Sequence, residues 1–222
     1  MRKANFNVKD WTKTGQDKKI KFLSYYYNAL LDTFSLRVKC NFSPKKRGIR
    51  SSPNFENLES FVECVRQNGL TKRNLASLLT GLTHDPLEIA APYANNLKLV
   101  YRRACRLGLA WDNVISEDLV EKTIKACSLF FQLDKVNFQR NAILCEAKKI
   151  KFLFYFDGSE TTNGVSIVVK NILPNEDVVY RLLQNKSRIN GADVSTIPRS
   201  ELAGAHLCSR MYSLIVQSSK HS

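Results

Sequence analysis

Two carboxylates offer the clearest chemistry in this sequence. Asp157 follows the apolar run Phe152-Leu153-Phe154-Tyr155-Phe156, and Glu201 ends the segment Thr196-Ile197-Pro198-Arg199-Ser200-Glu201, which leads into a helical stretch. A strand that delivers one acid at its end, and a helix that carries another in its first turn, present the hard oxygen donors that Mg²⁺ prefers. Each acid alone has a plainer reading. Asp157 with Gly158 makes a strand-ending turn, and Glu201 is favoured by the dipole at a helix start. Taken together, with two further strand-like runs between them, they point to a pair of metal ligands.

The elements that must position this pair are legible in the same stretch. Phe152 to Phe156 is apolar throughout, as expected of a central strand covered on both faces. Gly164 to Lys170 and Val178 to Gln184 read as second and third strands, with Pro174-Asn175-Glu176-Asp177 as a turn. Short connections predict an antiparallel meander. Pro198 opens the helix, with Leu202, Ala205 and Leu207 towards the sheet, and Ala203 and Gly204 allow close packing.

Upstream, residues 55–150 read as a helical bundle. Leu58, Phe61, Val62 and Val65 keep helical spacing, and Leu75, Leu78, Leu79 and Leu82 form an apolar stripe behind a Thr71 cap. Asp85-Pro86 reads as a cap with proline at the first helical position. The helix so begun is predicted to reach about Leu107, with Pro92 kinking or splitting it. Ser116 caps a further helix with Glu117 and Asp118 in its first turn. Before the bundle, residues 1–54 hold a basic start and a hairpin, from Phe22 to Tyr27 and from Thr33 to Phe42 around the Asn28–Asp32 turn. The expected organisation is therefore three parts, 1–54, 55–150 and 151–222.

Charge narrows the partners. The chain of 222 residues has 34 Lys plus Arg against 20 Asp plus Glu, a formal charge of +14. Such a surplus favours a polyanion, because neutralising phosphates releases counterions. Lys45, Lys46, Arg47 and Arg50 in a basic loop, with Lys72, Arg73, Lys186 and Arg188, are the candidate phosphate contacts. The six cysteines form no Cys-x-x-Cys pair and there are only three histidines, which argues against zinc and for free thiols of an intracellular protein. No apolar run approaches the ~20 residues that span a bilayer, and the chain does not open on an apolar signal core.

Several motifs then fall into a familiar order. Leu70-Thr71-Lys72-Arg73-Asn74-Leu75, with Asp85-Pro86-Leu87 and Ala91-Pro92, resembles the region after the polymerase palm in Pao/BEL retrotransposon polyproteins. Asp32-Thr33-Phe34-Ser35 with Lys45-Lys46-Arg47-Gly48 looks like that family's hairpin and basic loop. Leu109-Ala110-Trp111-Asp112 looks like the start of its connecting helix. Phe156-Asp157-Gly158-Ser159, Lys186-Ser187-Arg188 and Ile197-Pro198-Arg199-Ser200-Glu201-Leu202 look like its ribonuclease-H-like segment. The chain departs from the pattern at Leu23-Ser24, where the family has Leu-Gly, at Tyr27, where it tends to have Trp, and at Glu88, where it has glycine.

The resemblance implies an α+β architecture: an N-terminal β-hairpin, a helical thumb- or connection-like bundle, and a truncated ribonuclease-H-like β-β-β-α unit. It implies Asp157 and Glu201 as the first two carboxylates of a Mg²⁺ site, and an RNA–DNA hybrid or RNA as partner, together with the rest of the polyprotein. Ribonuclease-H cleavage uses two metals, and no Asp or Glu follows Glu201. Weak metal binding and no useful turnover by this chain are therefore expected. The palm's Tyr-x-Asp-Asp motif is absent. So is the paired Asp-Thr/Ser-Gly of an aspartic peptidase, since Asp157-Gly158-Ser159 has that order reversed. The alternatives are a co-opted protein–protein interaction module and a remnant of a decayed element.

Overall fold

A computed structural model describes residues 19–22, 25–37, 40–41, 54–55, 57–82, 85–133, 135–191 and 196–219. The first sheet runs in the order β1 (Lys19–Phe22), β2 (Tyr25–Asn28), β3 (Thr33–Leu36), β6 (Asn137–Gln139), all antiparallel. The β2–β3 pair is the predicted hairpin. Asn28 Oδ1 accepts from the backbone of Leu30 and Leu31, which shapes the turn. A short pair, β4 (Cys40–Asn41) with β5 (Asn54–Phe55), precedes the helices.

Four helices follow: α1 (Leu58–Asn68), α2 (Lys72–Leu82), α3 (Ala91–Arg106) and α4 (Glu117–Leu133). Asn57 caps α1 through Ser60 N at 2.8 Å, and Gly69 closes it with φ +68°, a backbone state that glycine enters without cost. The predicted stripes are the buried ones: Phe61 and Val65 in α1, and Leu75, Leu78 and Leu82 in α2. They share one core with Tyr25 and Leu36 of the hairpin sheet and with Leu97, Leu119 and Phe130. The hairpin and the bundle are therefore packed as one body.

Two readings change in this region. Asp85-Pro86 does not open α3. The Asp85 carboxylate accepts from Tyr25 Oη and, at 2.7 Å, from Ala90 N, so residues 85–90 form a turn. Burial and this carboxylate push the Tyr25 phenol above its ordinary range. The helix starts at Ala91, and Pro92 sits in its first turn, where its missing N–H costs nothing. The stretch before residue 150 is also not purely helical, because β6 returns to pair with β3. Arg140 clamps that return onto Asp32 at 2.5 Å and holds the carboxyl below its usual range.

The last unit is the antiparallel sheet β7 (Lys149–Gly158), β8 (Thr162–Ile172), β9 (Val178–Ile189), followed by α5 (Ile197–Ser219). The meander is as predicted, but the strand order moves the covered position. β8 is central, while β7 lies at an edge with Tyr155 56% and Phe156 50% exposed. The apolar run of β7 is thus not covered on both faces: α5 lies across β7 and β8 on one side only. Val165, Ile167, Leu207 and Met211 make its small core, with Phe154 and Tyr212 in edge-to-face contact at 5.6 Å.

Candidate functional site: a strand end beneath a helix start

Asp157 is the penultimate residue of β7, exposed, with its Oδ1 accepting from Gly158 N at 2.8 Å. The helix reaches this strand end because two glycines let backbone meet backbone. A Cβ on Gly158 would lie 2.4 Å from the carbonyl carbon of Ser200 and 2.5 Å from Glu201 N. A Cβ on Gly204 would lie 3.1 Å from the Asp157 carbonyl oxygen. The first turn of α5 is therefore seated on Asp157-Gly158, and Glu201 is delivered beside it with its side chain exposed.

A buried polar hub fixes this seat. Asn190 Nδ2 donates to Ser159 O at 2.7 Å and to Ser200 Oγ at 2.9 Å, and its Oδ1 accepts from Asn163 Nδ2 at 2.8 Å. Its backbone N–H donates to Thr161 O at 2.8 Å, and its carbonyl accepts from Arg102 Nη1 at 2.5 Å. One residue thus ties the β7–β8 turn, the start of α5 and α3 together. Buried networks of this kind rigidify a site, although Asn163 Oδ1 itself is left without a partner among the described residues. Nothing in the sequence pattern around Asn190 announces an inward carboxamide.

The site opens on a cleft of about 590 Å³ between the sheet and α3. Tyr155, Phe156 and Asp157 line one wall, Asn95 and Asn96 the other, and Asn185 and Ser187 the far end. As metal donors, Asp157 and Glu201 offer carboxylate oxygens only, a set that suits Mg²⁺ and not a soft ion. Among the described residues no group of three or more His, Cys, Asp or Glu side chains converges.

The predicted phosphate contacts divide. Lys45, Lys46, Arg47 and Arg50 lie outside the described residues. Lys72 and Arg73 are engaged within the fold: Lys72 Nζ donates to Leu109 O at 2.9 Å, Arg73 pairs with Asp112 at 2.9 Å, and both lie over the Trp111 ring. Lys186 forms an ion pair with Glu88, whose other oxygen accepts from Ser187 N at 3.1 Å. Arg188 lines a groove between β9 and α5, together with Arg210. Sequence reasoning missed Glu88 as a partner, although its place at a family glycine was a signal: its φ is +49°, in the left-handed region.

A meander of three antiparallel strands that ends one strand in an acid, then a helix that sets a second acid beside it, is the opening of a ribonuclease-H-like domain. A family model described as "Pao retrotransposon-like RNaseH-like domain" matches residues 71–222, more than half of the chain. The chain belongs to that family. No curated protein matches it. The match begins at Thr71, so it takes in α2, α3 and α4 as well as the sheet. No helix among the described residues is long and apolar enough to cross a membrane.

Proposed function

We propose that this chain is a nucleic-acid-binding part of a retroelement reverse transcriptase–ribonuclease H, one that engages an RNA–DNA hybrid without turning it over by itself. The carrying observation is the seat of Ser200, Glu201 and Gly204 on Asp157-Gly158, which brings Glu201 beside Asp157, an acid that lines the α3 cleft. Asp157 and Glu201 are the residues that would hold Mg²⁺. When bound, the ion would polarise a phosphate and lower the pKa of a water. Two carboxylates bind it weakly, and this supports the absence of useful turnover. Asn190 and Gly158 hold the two acids in register, and Tyr155 and Phe156 offer ring faces beside them.

Binding of a labelled RNA–DNA hybrid to the full chain, measured across salt, tests the reading. Affinity that falls steeply with salt supports it, because phosphate contacts release counterions. Salt-independent binding, or none, overturns it. A Mg²⁺-dependent cleavage assay is the second arm: cleavage abolished by Asp157→Asn would show an active nuclease and remove the claim of inactivity. A second reading, a protein-interaction module, draws on the exposed Phe152, Tyr155, Leu202, Tyr212 and Leu214. Capture of a polypeptide partner that Leu214→Lys prevents, with no hybrid binding, would select it.

A further inference from the structure

The cleft in front of Asp157 continues past the sheet. Asn96 and Leu99 of α3 line it, and the same two residues line a second groove, of about 700 Å³, between α3 and α4. Leu99, Leu119 and Leu129 contribute its floor, and Arg103, Lys122 and Lys125 its rim. Asp118 is the one acid in this lining, and it is paired with Lys122 at 2.8 Å. Arg103 and Lys125 are exposed and carry no ion pair among the described residues. Positive charge is dense at this end of α3: burial and then the neighbouring Arg106 pull the Arg102 guanidinium below its ordinary range.

The shape selects the ligand form. A groove of about 700 Å³ between two helices has room for a short length of one extended strand and not for a duplex. Lys122 and Lys125, separated by about 4.5 Å of helix rise, face Arg103 across it. Unpaired cations on both sides of an apolar floor fit a phosphodiester backbone with its bases turned towards Leu99 and Leu129. Continuity through Asn96 and Leu99 connects that backbone to the cleft that Asp157 lines.

We propose that the α3–α4 groove binds a single RNA strand that runs on from the Asp157 cleft, with Arg103 and Lys125 as its phosphate contacts. The assignment rests on the nucleic-acid reading above, but it has its own point of failure. An unstructured labelled oligouridylate is titrated with the full chain over a range of salt. Three proteins are compared: the parent, R103Q/K125Q, and R66Q/K135Q, which removes equal charge elsewhere. Single strands contribute about 0.7 to the salt slope per phosphate neutralised. R103Q/K125Q should therefore lower the slope by about 1.4 and weaken low-salt binding by about tenfold. R66Q/K135Q should change binding by about threefold or less, and R103K/K125R, which keeps both charges, should retain the parent slope.

If R103Q/K125Q matches R66Q/K135Q while the parent binds, the groove assignment falls and the nucleic-acid reading stands. If the parent binds neither oligouridylate nor hybrid, both fall. Displacement by polyglutamate as effective, charge for charge, as displacement by RNA would make this an acidic-peptide groove and overturn the strand assignment.

Discussion

Along β9, the outer edge of the last sheet meets the turn before α3. Leu87 O accepts from Asn185 N at 3.0 Å, the Glu88 carboxylate accepts from Ser187 N at 3.1 Å, and Lys186 closes an ion pair onto the same carboxylate. Along β7, no described residue pairs with the outer edge, and Phe152, Tyr155 and Phe156 lie exposed beside it. An unpaired strand edge is a template for further pairing, whereas one covered by a turn is closed to it. The sheet therefore has one edge open to further pairing among the described residues, and the candidate site lies on that side. What holds β7 is β8 along its inner edge and α5 on its face.

This contrast makes Gly158 the most sensitive position. Gly158→Ala forces a methyl into backbone atoms of Ser200 and Glu201, which cannot move without unseating α5. Overpacking of this kind costs about 3 kcal/mol, to be read as a fall in the urea midpoint of the sheet unit and as faster proteolysis within α5. An unchanged midpoint would mean that β7 does not depend on the helix. Asn190→Ala comes next. It strands the buried Asn163 Nδ2 and removes the donor to Ser159 O, while Ser200 Oγ keeps Thr162 O, and about 2 kcal/mol is expected. Amide exchange should rise at the β7–β8 turn, and the β9 edge contacts of Asn185 and Ser187 should keep their protection.

The closed edge predicts a graded pair. Glu88→Ala loses both the Ser187 bond and the Lys186 ion pair while keeping a side chain at φ +49°, and should cost about 1.5 kcal/mol. Glu88→Gly loses the same contacts but relieves a left-handed residue, worth about 1 kcal/mol, so it should cost roughly 0.5 kcal/mol. Chemical denaturation of the two variants side by side checks the order. If glycine is the worse substitution, Glu88 is not strained there and the turn is shaped by something else.

Much of this architecture is written in local pattern. The hairpin at Asn28–Asp32, the stripes of α1 and α2, the meander and the helix at Pro198 follow from periodicity and turn residues, and the resemblance located the two acids. What periodicity does not carry is pairing across distance. The apolar run of Phe152–Phe156 has the composition of a covered central strand, yet its position in the sheet depends on which strands are present to flank it. Asp85-Pro86 has the form of a helix start, but Tyr25, 60 residues earlier, draws the carboxylate into a turn instead. Likewise, Lys72, Arg73 and Lys186 look like surface cations in sequence. Their partners Leu109, Asp112 and Glu88 become visible only when the loops are folded back.

The smallest stability effect belongs to the open edge, where a substitution should act on association and leave folding nearly untouched. Tyr155 is 56% exposed on β7, so Tyr155→Lys removes little packing and should stay within about 0.5 kcal/mol of the parent. A lysine on an edge strand disfavours the approach of a second strand, because its charge would have to be desolvated or paired. Light scattering against concentration should therefore rise later for Tyr155→Lys than for the parent. Tyr180→Lys, on β9 and also more than half exposed, at 55%, controls for the loss of an exposed aromatic and the gain of charge. If both lysines delay scattering equally, net charge explains the effect and the two edges do not differ in this respect. If only the β7 lysine does, its open edge is the association surface, and the turn at Glu88 is what removes the same liability from β9.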